Sequence, residues 1–231
     1  EKGRAHPVNL RVCLADEQFH VIRGIISLGE DRQVPVVGVG GPHPGHDGDF
    51  LAGESYLERL LEAMRLSPPG PTMEYLLPAL AIPLVTRITG VVDRSEAAQS
   101  AAEAVLSSGS VLPLGDQIAR AGLGLLVVER RDIVAANEQY PLLQTTRGIM
   151  IILGTINGDR LLGLLAQTMG EIDQAMSHFE DAVAFCRKAD FRPELAWTYC
   201  DYADLLLDPS TSAGRTESGE DRAKALSLLD E

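Results

Sequence analysis

From about residue 54 onward, apolar residues recur at steps of three and four with polar residues between them, the period of amphipathic helices. Ala175, Phe179 and Ala182 form one such stripe, while Asp173, Gln174, Ser177, His178, Glu180 and Asp181 occupy the remaining positions. The same periodicity predicts helices over 54–66, with Leu57, Leu60, Leu61 and Met64 on one face, over Met73 to Thr89, and over Ser95 to Leu106. Pro78 and Pro83 should bend the second of these. An earlier helix over Asp16 to Leu28 would pack against the first.

The pattern also repeats. Gly124 and Gly163, Ala136 and Ala175, and Tyr140 and Phe179 are each separated by 39 residues. Within each unit a Leu-Gly pair precedes an alanine and then an aromatic ring, which is the order of helix, turn, helix. Gly124 and Gly163 are expected to supply holes for the rings of Tyr140 and Phe179. Met169-Gly170-Glu171 marks one turn with a helix-stopping glycine; Arg130-Arg131-Asp132 marks the equivalent turn without one. A third unit carries Trp197, Tyr202 and Ala203. It then runs through a Ser/Thr/Gly-rich loop, 209–219, into a helix that starts near Asp221.

Leu162, Gly163, Gly170, Ala175, Phe179 and Ala182 stand in the order and spacing of the tetratricopeptide repeat, which this chain resembles. The units exceed the usual 34 residues of that family, and Asp159 stands where its motif commonly has tryptophan. Residues 159–207 look like the C-terminal helical arrays of large bacterial regulators. In that family the array follows an NTPase module, and the same polypeptide carries a class 3 adenylate-cyclase-like domain or a LuxR-type helix-turn-helix. The resemblance implies an all-α, right-handed superhelix of about five antiparallel hairpins over 54–231, with 1–53 as an N-terminal helix and Gly/Pro/His-rich loop packed on it. It also implies a non-catalytic interaction or sensory role, with a peptide, a protein or another domain of the same polypeptide received on a concave face.

Composition narrows the partners. Twenty Lys and Arg against 33 Asp and Glu give a net charge of −13, which opposes sequence-independent attraction to nucleic acid or anionic lipid. No apolar run approaches the length of a membrane span, the longest being near 76–85 and 148–156. Cys13, Cys186 and Cys200 are isolated from one another, which suits a reducing cytoplasmic setting and neither a disulfide framework nor a zinc site. Cys186 and Cys200 read as buried structural thiols. The chain opens without a signal pattern and ends inside a helical run, as an internal piece of a longer protein would.

The chemical candidates are few. His43, His46, Asp47 and Asp49 are good ligand types for a divalent metal, but the same letters belong to any glycine- and proline-rich loop, and nothing there fixes the four. Val36 to Gly41 suggests a strand entering a phosphate loop, yet lacks the glycine spacing and lysine such a loop needs. His178 is expected on a solvated helix face. Trp197, Tyr199 and Tyr202 are expected mainly in the core, with Tyr199 the one turned outward. No catalytic, cofactor or metal residue is assigned, so the chain is expected not to be an enzyme. The alternatives are a metal- or nucleotide-binding domain built on residues 36–49, and a homo-oligomerisation module.

Overall fold

The computed structural model describes residues 47–89, 93–151 and 155–208, with isolated helical positions at 223, 224 and 227. The described chain is overwhelmingly helical. Its helices are α1 (Asp47–Leu66), α2 (Met73–Thr89), α3 (Ser95–Leu106), α4 (Pro113–Arg130), α5 (Ile133–Leu143), α6 (Gly158–Met169), α7 (Ile172–Ala189) and α8 (Arg192–Leu207). A short 3-10 turn, Gln144–Thr146, and two strands, β1 (Met150–Ile151) and β2 (Ile156–Asn157), lie between α5 and α6. The strands pair antiparallel, Met150 opposite Asn157 and Ile151 opposite Ile156.

α2 and α3 span the expected residues, and α2 continues through both of its prolines. α1 starts earlier than expected, so Asp47 and Asp49, read as loop, fall on its first turn. Leu57 and Leu60 are buried, with Leu61 and Met64 packed beside them. The helix expected over 16–28, the 36–46 segment with His43 and His46, Cys13 and the 209–219 loop lie outside the described residues.

Register is kept by the turns. α4 and α6 end at Arg130 and Met169, and α5 and α7 begin at Ile133 and Ile172, each pair 39 residues apart (169 − 130; 172 − 133). The first helices start irregularly, at Pro113, Gly158 and Arg192, because α4 carries extra turns at its N-terminal end and the β-hairpin fills the space before α6. Gly170 closes α6 in the left-handed conformation, φ 82°. Arg131 and Asp190 close α4 and α7 at φ 53° and 54° without being glycine, at a cost of about 1 kcal/mol each. Asp132 recovers part of that at its turn, its carboxylate accepting the Ala135 N–H at 3.0 Å.

Gly163 does receive Phe179: a Cβ there would lie 3.0 Å from the ring. Gly124 does not receive Tyr140. Leu143 and Leu161 fill that hole, at 3.1 and 3.5 Å from the corresponding point, and Tyr140 turns instead toward His178. The tightest seam involves a glycine that the repeat alignment passes over. A Cβ on Gly122 would lie 1.9 Å from the Ala79 carbonyl oxygen. Pro83, four residues beyond Ala79, has no N–H to give that carbonyl, and the bare Gly122 Cα of α4 sits against it.

α2, α4, α6 and α8 contact one another in chain order, and α3, α5 and α7 each lean on the first helix of their own hairpin and on that of the next. One large apolar cluster spans α1 to α6, and a second joins α6, α7 and α8. Arg87 of α2 also bonds Asp201 of α8, skipping two hairpins. No helix among the described residues is long and apolar enough to cross a membrane.

Candidate functional site

Two polar clusters meet where the β-hairpin hands the chain to α6. Gly158 makes this possible, since a Cβ there would lie 1.9 Å from the Thr146 carbonyl oxygen. With hydrogen in its place, its N–H donates to the Ile149 carbonyl at 3.0 Å and holds 144–149 against the start of α6. Asn157 then caps α6, its side-chain oxygen accepting the N–H groups of Asp159 at 2.9 Å and Arg160 at 3.2 Å. The next two side chains point in different directions, and each organises one cluster.

Arg160 turns inward and is 1 % exposed. Its guanidinium donates to Asp201 Oδ2 and to Glu194 Oε2, each at 2.7 Å, and lies 5.6 Å from the centre of the Trp197 ring. Asp201 accepts a further bond from Arg87, and Glu194 accepts the Asn157 N–H at 2.6 Å. Two guanidinium groups against two carboxylates leave this centre neutral. Burial works against the Arg160 cation, but the charges of Glu194 and Asp201 outweigh it and hold its pKa above the ordinary range. Burial also raises both acids; at Asp201 two guanidinium partners reverse that and hold the carboxyl low, whereas at Glu194 one partner does not, and its carboxyl stays high. The arrangement ties α2, α6 and α8 together, and Arg160, Glu194 and Asp201 are buried while Arg87 is partly exposed, so its role is cohesion.

Asp159 turns the other way, toward α5 and α7. Its Oδ1 lies 3.3 Å from His178 Nδ1, and its Oδ2 accepts the Gly148 N–H at 2.6 Å. His178 Nε2 lies 2.7 Å from the Tyr140 hydroxyl. Arg147 reaches across from the linker, 3.6 Å from Asp159 and 3.1 Å from Asp181. Burial raises the Asp159 carboxyl, but the His178 hydrogen bond, the Gly148 N–H and the neighbouring Arg147 charge together hold it below the usual carboxylate range.

Beside this cluster a groove of about 500 Å³ opens between α5 and α7, lined by Tyr140, Pro141, Gln144, Arg147, Gln174, Ser177 and His178. It offers amide, hydroxyl, guanidinium and imidazole groups on one wall or the other, a set suited to hydrogen-bonding an extended polar ligand. No family model matches the chain, and no curated protein or solved structure matches it. The groove's chemistry must therefore be judged from its own residues.

Among the residues singled out by sequence, His178 is corrected: it is 4 % exposed and wedged between Tyr140 and Asp159, where a solvated position was expected. It lies three residues after Ala175 and four before Ala182, on their own buried stripe. Tyr199 is corrected as well. It is buried, its hydroxyl accepting from Arg187 Nε at 2.8 Å with that guanidinium 5.5 Å from its ring centre. Trp197 and Tyr202 are in the core as expected, Tyr202 stacked on Phe179 at 5.5 Å. Cys186 and Cys200 are buried free thiols, and burial pushes the Cys186 thiol up to about 12. His43 and His46 are not described, so the 36–49 candidate is not assembled here; Asp159, Arg160, Glu194 and Asp201 are the residues that sequence reasoning missed.

Proposed function

We propose that the chain is a non-catalytic, tetratricopeptide-like interaction array of a larger bacterial signalling or transcription-regulatory protein, acting in the cytoplasm. The observation that supports this best is the order of helix contacts. First helices neighbour first helices, and each second helix bridges its own hairpin to the next, the arrangement by which stacked hairpins bury a continuous core. In this reading the hairpins wind as a right-handed superhelix, tightly enough for Arg87 to reach Asp201.

In this reading Arg87, Arg160, Trp197 and Asp201 are engaged with one another, and the receiving surface is the groove between α5 and α7. A peptide segment or a neighbouring domain of the same polypeptide is the fitting occupant. The groove bridges two successive units, so occupancy favours one relation of the hairpins over others and passes along the stack. The net charge of −13 leaves nucleic acid and anionic membrane without an electrostatic reason to bind.

The test is to translate the coding sequence on both sides of this segment and titrate any in-frame NTPase, cyclase-like or helix-turn-helix module onto the chain by calorimetry. Association at micromolar or tighter Kd, weakened about tenfold in a Gln144→Ala/Gln174→Ala variant, supports the reading. Start and stop codons bracketing the segment closely, or in-frame modules that do not bind it, would overturn it.

A further inference from the structure

The polar cluster under the groove has the composition and spacing of a metal site. One donor atom each from Asp159, His178 and Asp181 lies within 4.8 Å of the other two. His178 Nδ1 and Asp159 Oδ1 are 3.3 Å apart, close to the edge of about 3.4 Å that a tetrahedron with metal bonds of about 2.1 Å requires. Asp181 is half exposed, so its side chain has room to turn toward the other two.

Charge points the same way. Asp159 and Asp181 carry two negative charges, and Arg147 supplies one positive charge, from a side chain that is 54 % exposed and held by its guanidinium on those two carboxylates. A divalent ion in its place would neutralise the pair completely. The supporting partners are already present. The Gly148 N–H orients the far oxygen of Asp159 at 2.6 Å, and the Tyr140 hydroxyl lies 2.7 Å from His178 Nε2. When Nδ1 is a ligand, the ring proton resides on Nε2 and is donated to the Tyr140 oxygen, the partner a ligating imidazole usually has. His178 and Arg147 also line the groove, so water or a ligand group has an approach to the cluster from that side.

We propose that Asp159, His178 and Asp181 bind a divalent transition-metal ion of the zinc type, with Arg147 holding the cation position until the metal displaces it. One imidazole and two carboxylates favour zinc or manganese over soft copper(I), and a three-ligand set leaves the open position of an exchangeable site. This assignment stands apart from the identity of any protein partner, since it is read on the chain itself.

The experiment uses the full 231-residue chain, stripped with chelator, then titrated with Zn²⁺ by calorimetry and with Co²⁺ by visible absorption. One equivalent should bind, with the cobalt bands of a low-symmetry nitrogen and oxygen site. Asp181→Asn, at a half-exposed position the fold does not depend on, should weaken binding tenfold or more. Arg147→Gln should tighten it several-fold, because the competing cation is gone. A His43→Ala/His46→Ala variant should bind as the parent chain does. Absence of binding at millimolar Zn²⁺ would overturn the proposal. So would binding unaffected by Asp181→Asn, or binding lost in the His43/His46 variant.

Discussion

Replacing Gly122 by alanine should be among the most damaging small substitutions in this protein. The usual helical effect runs the other way: Gly→Ala in a helix interior gains about 1 kcal/mol. At Gly122, however, the new methyl would lie 1.9 Å from the Ala79 oxygen and 2.7 Å from its carbon, both backbone atoms of α2. No rotamer relieves that contact. α2 and α4 must separate by more than 1 Å to reach ordinary van der Waals distance, and a gap of about 1 Å already forfeits about half of each dispersion well along the seam. The seam includes Leu76, Ala79, Leu80, Ile118 and Ala119, all buried, so an overpacking cost of about 3–4 kcal/mol is expected, above the usual range of about 1–3 because the obstacle is backbone. The net loss is about 2–3 kcal/mol, a fall in Tm of roughly 5–10 °C for a chain of this size. Gly163→Ala is the matched control. Its methyl would meet only the edge of the Phe179 ring, at 3.0–3.2 Å, and that ring must give by a few tenths of an ångström while stacked on Tyr202. Its stability should stay within about 1 kcal/mol of the parent chain. Urea unfolding followed by circular dichroism measures both. A Gly122→Ala protein as stable as the parent, or no worse than Gly163→Ala, would refute the α2–α4 packing.

Three further outcomes follow from the buried charges and thiols. Arg160→Met leaves Glu194 and Asp201 facing each other in the core with only Arg87 between the acids and neutrality. Denaturant unfolding should show a loss of about 3–5 kcal/mol, and Arg160→Met/Glu194→Met should recover much of it; equal losses in both would contradict the paired-charge reading. Asp201 has its folded pKa below the unfolded value, so its contribution is present above about pH 4 and is lost as acid protonates it in the folded state. Glu194, shifted up, acts with the opposite sign: it costs stability at neutral pH, and that cost is relieved as pH falls toward 4.5. Asp201→Asn should therefore destabilise at pH 7, and its deficit relative to the parent chain should shrink as pH is lowered below about 4. An unchanged deficit across that range would rule this out. Cys186, with its thiol pushed up to about 12, should resist alkylation at pH 8 in the native state and react readily in denaturant, as read by peptide mass mapping; rapid native labelling would mean the α7 packing is wrong.

What could be read from the sequence was whatever local rules decide. α2 and α3 end where propensity and turn chemistry end them, and the Gly170 turn and the Gly163–Phe179 contact follow from side-chain size at helical spacing. The landmark spacing of 39 holds at the hairpin turns and not at the starts of the first helices, where the extra turns of α4 and the short strand pair intervene, and two-residue strands give too weak an alternation to be seen. Tyr140 was misplaced because a ring four residues after an alanine can fill a hole on its own hairpin or reach the next one. His178 looked solvated because its chain neighbours are polar, although its own +3 and −4 relation to Ala175 and Ala182 marked it as inward. The charged centre left the faintest trace. Arg160 to Glu194, Arg160 to Asp201 and Tyr140 to His178 are 34, 41 and 38 residues apart, close to one repeat, as side chains facing each other across adjacent units must be.

The claim that matters most is that the α5–α7 groove is where this chain meets its partner. Backbone amide spectra of the isotopically labelled chain, recorded while an in-frame neighbouring domain is titrated in, test it most directly. The account predicts saturable shifts at Gln144, Arg147, Gln174 and Ser177, with Arg87, Arg160 and Asp201 of the other charged cluster unmoved. Shifts concentrated around α2 and α8, with the groove residues silent, would contradict it.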